Sequence, residues 1–168
     1  MQNAKGQTPL MTAVLTGETK IVKLIFQYQK QEPLTAELDT ADFIGNTPLM
    51  VSADKGFLDI AILLLKRGAK VESINRWNET SLMLASSKGN REIVSLLLKN
   101  GADIDARDIS EKTALLRAAQ NGHLLTVEML LIKGANILFN AFDLGGEGGT
   151  ALIPVSYTHL TLPTICSV

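Results

Sequence analysis

Short apolar clusters alternate with polar breaks along most of the chain, and inside each cluster the spacing is helical. In Leu58–Lys66 the residues Ile60, Leu63 and Leu64 fall at i, i+3 and i+4, which puts them on one face of a helix. The stretch before it, Thr47 to Lys55, holds the small residues Ser52 and Ala53 and predicts a second short helix that neighbours can approach closely. Thr47 is placed to cap that helix through a free backbone N–H. Pro48 sits in the first turn, where a missing N–H costs nothing. Gly56 predicts a left-handed stop after the first helix, and Gly68 a stop after the second. The residues from there to Thr80 read as an extended turn.

The same phrase recurs. Thr-x-Leu triplets begin at Thr8, Thr47, Thr80, Thr113 and Thr150, and the two middle intervals are 33 residues each. A glycine stands nine positions after each of the first four threonines, at Gly17, Gly56, Gly89 and Gly122. Gly-Ala pairs at 68–69, 101–102 and 134–135 keep the same period. Three markers in one register define a repeat, which decides the fold class before any single segment does. The outer intervals are longer, 39 and 37, so extra residues lie near Tyr28–Thr35 and between Gly134 and Thr150.

Helix, glycine, helix, Gly-Ala and hairpin at a period of 33, opened by Thr-Pro-Leu, resembles the ankyrin repeat. The third unit (Thr80–Ala106) and the fourth (Thr113–Ile137) match that pattern along their length, and the likeness covers about residues 5–152. It implies an all-α solenoid of stacked antiparallel helix pairs joined by β-hairpin loops. The units are read as about 5–35, 36–73, 74–106, 107–140 and a partial 141–154. In the middle unit Leu82, Ala85, Ile93, Leu96 and Leu97 are expected to be buried. The family commonly has His after Thr-Pro-Leu; Met11, Met50, Met83 and Leu116 stand there instead and replace a hydrogen bond to the threonine with apolar packing. Neither end reads as a polar cap, so the chain is expected to be a fragment of a longer array.

Composition narrows the function classes. Hydrophobic residues are 46% and aromatics only 5%, so the core is built from aliphatic and small side chains. Sixteen basic and 17 acidic residues leave a formal charge of −1, and with no basic excess nucleic acid is not expected as a partner. Apolar runs such as Ile60–Leu65 are far shorter than the roughly 20 residues that span a bilayer, so no membrane partner is expected either. The first residues carry no secretory pattern, and the cytoplasm is the expected compartment. Cys166 is the lone cysteine, which makes no internal disulfide and no zinc cluster.

Candidate chemistry is sparse. His123 follows Gly122 at the start of a second helix and reads as a capping or packing residue; neither it nor His159 has a nucleophile in a recognisable motif. Asp103, Asp105 and Asp108 lack the Gly and Glu of a calcium loop. The glycines at 145, 146, 148 and 149 are not followed by Lys-Ser/Thr, so they do not form a phosphate loop. Asn78-Glu79-Thr80 is a formal glycosylation sequon, but Thr80 is already explained as a helix opener. No catalytic residue, metal ligand or cofactor is expected, and the chain is not expected to be an enzyme.

What varies between units is where a partner would bind. The family resemblance places those positions at the hairpin tips and the exposed end of the first helix, along a concave surface. The tips are Phe43, Ile44 and Asn46, then Arg76, Trp77 and Glu79, then Ile109, Ser110 and Lys112, with Ile74 and Arg107 preceding them. The helix positions are Asp54 and Lys55, Ser87 and Lys88, and Gln120 and Asn121. Folding gives no reason for an exposed tip to be apolar. For Ile44 and Ile109, partner contact and packing between neighbouring hairpins remain alternatives; Trp77, beside Arg76, is read as a contact residue. The expected function is a monomeric, non-catalytic scaffold that binds another protein. The rival is the regulatory ankyrin part of a larger enzyme or secreted effector.

The end of the chain breaks the pattern. The fifth unit opens properly at Thr150, but Pro154 then stands where its first helix should be forming. The ten residues VSYTHLTLPT, 155–164, resemble the translation of a transposon-end adapter used in sequencing libraries. Residues 155–168 are therefore read as a non-native tail.

Overall fold

The computed structural model describes residues 2–28 and 38–137. The partial fifth unit and the 155–168 tail lie outside the described residues, as do the extra residues near Thr35. Eight helices are described: α1 (Pro9–Thr16), α2 (Thr19–Tyr28), α3 (Pro48–Lys55), α4 (Leu58–Lys66), α5 (Ser81–Ser87), α6 (Arg91–Lys99), α7 (Ala114–Gln120) and α8 (Leu124–Ile132). They form four helix pairs in one compact unit that ends at Ala135. The odd-numbered helices pack side by side as an inner row and the even-numbered ones as an outer row, each touching its neighbours in the stack.

Every inner helix begins in the same way. Thr8, Thr47, Thr80 and Thr113 are extended at the cap position, and their hydroxyls accept the backbone N–H of Met11, Met50, Met83 and Leu116. A cap of this type contributes about 1 kcal/mol, and all four threonines are buried, so an uncapped N–H there would have no water to turn to. Met50 goes further than packing, since its sulfur lies 3.5 Å from the Thr47 N–H. Small residues let the inner row close up: Ala13, Ser52, Ala53, Ala85 and Ala118 are buried where neighbouring inner helices meet.

The core runs continuously through the stack. Val22 and Phe26 from α2, Ile60 and Leu64 from α4, Ile93 and Leu97 from α6 and Leu130 from α8 are buried against the inner row. The expected middle-unit core is confirmed at Leu82, Ala85, Ile93 and Leu97, so the register is right. Leu96 differs. It is only half-buried, because it lies at the edge of the outer face and packs against the core from outside.

A glycine with positive φ follows each inner helix, and at Gly89 close approach of the next unit adds a second reason for it. Its φ is +70°, and a Cβ there would stand 2.6 Å from Nδ1 of His123. His123 opens α8 and its Nε2 donates to the Ser87 carbonyl, 3.0 Å away, on the preceding inner helix. The histidine is thus a packing tie between units three and four; its side chain makes no capping hydrogen bond to α8. Asn90 does the same work one unit earlier, donating to the Ala53 carbonyl at 2.7 Å.

One junction residue is poorly matched to its place. Ser81 is fully buried at the first position of α5, and its hydroxyl has no partner among the described residues. Pro9 and Pro48 occupy this position in units one and two. Ser81→Pro is expected to stabilise the protein by about 0.5–1 kcal/mol, by removing the unpaired hydroxyl and restricting the unfolded chain. Thermal denaturation of the two proteins checks this; a lower melting temperature would show that the ring does not fit between α3 and α5.

Candidate partner-binding surface

The loops that join one unit to the next are narrow hairpins with a common scaffold. Five residues before each cap threonine stands an Asn or Asp: Asn3, Asp42, Asn75 and Asp108. In each, Oδ1 accepts two backbone N–H groups of its own loop. For Asn3 these belong to Lys5 and Gln7, and for Asp42 to Ile44 and Asn46. For Asn75 they belong to Trp77 and Glu79, and for Asp108 to Ser110 and Lys112. One backbone bond then closes the base of each loop, as from Asp108 N–H to the Lys112 carbonyl at 3.1 Å. A second backbone bond inside each loop, as from Glu111 N–H to the Asp108 carbonyl at 2.9 Å, makes these hairpins tight turns, and no strand is present among the described residues.

Neighbouring hairpins are bonded to one another. Phe43 N–H donates to Lys5, Arg76 N–H to Ile44 and Ile109 N–H to Trp77, at 3.0–3.1 Å. The tips therefore form a ladder running across the units. Contact is close enough that a Cβ on Gly45 would stand 3.0 Å from the Asn75 Cα, and Gly45 has φ +93°. The same tip position is left-handed at Asn78 and Glu111, where no glycine relieves it.

A buried ion cluster locks the third hairpin to the fourth. Arg117, on α7, places Nε 3.0 Å from Oδ2 of Asp108 and Nη2 2.7 Å from Oε1 of Glu79. The Asp108 side chain is 2% exposed and those of Arg117 and Glu79 are 17% and 15% exposed, so water screens the cluster weakly. Burial alone would raise the Asp108 pKa. The Lys112 N–H, the Arg117 side-chain hydrogen bond, the Ser110 N–H and the Arg117 charge outweigh it, and the carboxyl ends below its ordinary value.

On this scaffold Phe43, Ile44, Ile74, Arg76, Trp77, Arg107, Ile109 and Ser110 are exposed, as a contact role requires. Asn46 and Lys112 are half-buried at the loop bases. Glu79 is committed elsewhere: Arg117 holds one oxygen and the Asn75 amide the other, at 2.6 Å. Arg107 pairs with Glu111 at 3.1 Å. Along the inner row, Asp54 bridges Lys55 and Lys88, Asn121 donates to the Ser87 hydroxyl, and Gln120 is exposed. Two recesses lie between hairpins and inner helices. One, of about 310 Å³, is lined by Trp77, Glu79, Asp108, Ile109, Ser110 and Arg117. The other, of about 290 Å³, includes Asp42, Asp54, Trp77 and the apolar floor of Leu15, Val51 and Leu84. Trp77 is the wall between them, 45% exposed.

The family model for ankyrin repeats in three copies matches residues 1–75 and 71–141. The chain belongs to the ankyrin-repeat family. Ankyrin repeats are in general protein-interaction modules. No curated protein matches this ankyrin array. Among the described residues of the array, no group of His, Cys, Asp and Glu could hold a metal ion, and no helix is long and apolar enough to cross a membrane.

Sequence reasoning missed the residues that set the surface. Asn3, Asp42, Asn75 and Asp108 could have been found, because their spacing from the cap threonine never changes. Arg117 could not: its equivalents are Thr12, Val51 and Leu84, and no periodic signal marks it.

Proposed function

We propose that the array is a non-catalytic protein-binding module that engages its partner through the hairpin tips and the adjoining ends of α3, α5 and α7. The observation that carries this reading is a row of exposed apolar tips, Phe43, Ile44, Trp77 and Ile109, held on loops that are bonded at base and flank. A surface fixed before binding loses little conformational entropy on binding. Large apolar side chains kept in water at the tip of a rigid loop contribute nothing to the core, and tryptophan is among the residues enriched where interfaces concentrate their energy. The same observation supports contact over packing for Ile109, which is 60% exposed even with its backbone bonded to Trp77.

Trp77→Ala is the test. Partners captured by the wild-type array are identified, and the affinity of the best is measured for both proteins. The substitution is expected to weaken binding by about 2 kcal/mol while leaving the melting temperature nearly unchanged. Unchanged affinity would sink the reading, and a large fall in melting temperature would make Trp77 a packing residue instead.

A further inference from the structure

We propose that the recess between the second and third hairpins takes an arginine side chain of the partner protein, with the Asp42 carboxylate as its anchor and the Trp77 ring as its flat face. The proposal rests on the protein-binding reading above and names the chemistry of the partner.

The molecule contains its own precedent. Asp108 in the fourth hairpin uses Oδ1 for its loop N–H groups and Oδ2 for the Arg117 guanidinium. Asp42 is the same residue in the second hairpin. Its Oδ1 accepts Ile44 N–H at 3.0 Å and Asn46 N–H at 2.9 Å, and its Oδ2 has no partner among the described residues. Where Arg117 stands in unit four, four residues after the cap threonine, unit two has Val51. The loop therefore presents a half-used carboxylate without the cation that the fourth loop supplies to itself. The third hairpin shows the other solution: Asn75 there donates its amide to Asn46 and Glu79 and needs no cation.

The rest of the recess suits the remainder of an arginine. Its floor is Leu15, Val51 and Leu84, apolar surface for three methylenes. Trp77 forms a wall and is 45% exposed, so its ring can receive a planar cation. Arginine fits better than lysine because its fork can meet a carboxylate while its plane stacks on the indole. Asp54 and Lys55 also line the recess; Lys55 pairs with Asp54, which Lys88 holds as well, and this leaves Asp42 as the anchor.

The probe is a displayed library of random peptides selected on the array. Enriched peptides are then synthesised with arginine or with citrulline, its neutral isostere, and titrated against the fluorescence of Trp77, the chain's one tryptophan. Enrichment of arginine flanked by apolar residues is expected, with citrulline weakening binding about tenfold, as the loss of a charge-assisted hydrogen bond predicts. Asp42→Asn should abolish that preference without changing the melting temperature, because Asn3 and Asn75 show that asparagine builds the same loop. Enriched peptides without arginine, equal binding of the citrulline form, or an arginine preference that survives Asp42→Asn would each overturn the proposal and leave the wider protein-binding reading standing. A library that yields no binder would overturn it too, and the wider reading would then be decided by the Trp77→Ala comparison with a folded partner.

Discussion

Leu97→Ala lowers the unfolding free energy by about 2–5 kcal/mol, the range for a large-to-small change in a well-packed core. Leu97 is 0% exposed in α6, in the middle of a core that runs through all four described helix pairs. Its removal leaves a void between α6 and the helices packed against it, α4, α5 and α8, so the site cannot collapse fully and the cost should lie in the upper half of that range. Location adds to the effect. In a stack each unit is stabilised only by its neighbours, so damage in the third unit weakens both flanking junctions. Urea denaturation followed by circular dichroism measures it, and a loss under about 1 kcal/mol would mean that the third unit is not an internal layer of the stack.

Arg117→Ala should cost about 2–3 kcal/mol, through the charge it strands rather than the contacts it deletes. Asp108 is buried, and without the guanidinium its Oδ2 faces the recess unpaired while Glu79 loses its cation. The cost stays below that of breaking a fully enclosed pair, because Asp108 keeps its two loop N–H bonds and the recess is open to water. Asp108→Asn distinguishes the charge from the scaffold, since asparagine keeps the loop bonds. The folded-state pKa of Asp108 is depressed below its ordinary 3.8, so its ionised form favours the folded state. That contribution is present in full above the unfolded value and is lost as pH falls through the folded one. The stability gap between wild type and Asp108→Asn should therefore close on acidification from about pH 5 downward. A gap that is constant with pH would show that the carboxylate charge contributes nothing to stability.

Most of the backbone was legible in the chain itself. Thr-Pro-Leu, the glycine nine residues later and the Gly-Ala pair fix where helices start and stop, because each marker acts on the backbone it belongs to: a hydroxyl on a free N–H, a proline ring in a first turn, a residue that tolerates positive φ. The period then orders the helices, and Leu97 is buried as its spacing requires. The surface was legible only in part. Phe43, Ile44, Trp77 and Ile109 could be placed at tips by register, and they are exposed there. Glu79 was placed with them and is instead tied into the framework. Nothing local distinguishes a solvated carboxylate from one held by a guanidinium 38 residues further along the chain.

The sequence by itself determined the helix pairs, their caps, their order and the family, since those follow from interactions within a few residues repeated at a fixed period. Tertiary structure decided which polar groups meet across units. His123 reaches Ser87, Asn90 reaches Ala53 and Arg117 reaches Glu79 over separations of more than 30 residues. It also decided that Asp108 finds its cation within the chain while, among the described residues, the second oxygen of Asp42 has none. The physical reason is that a hydrogen bond or ion pair depends on distance in space, and only the stacking of one hairpin on the next brings those side chains within three ångströms or so.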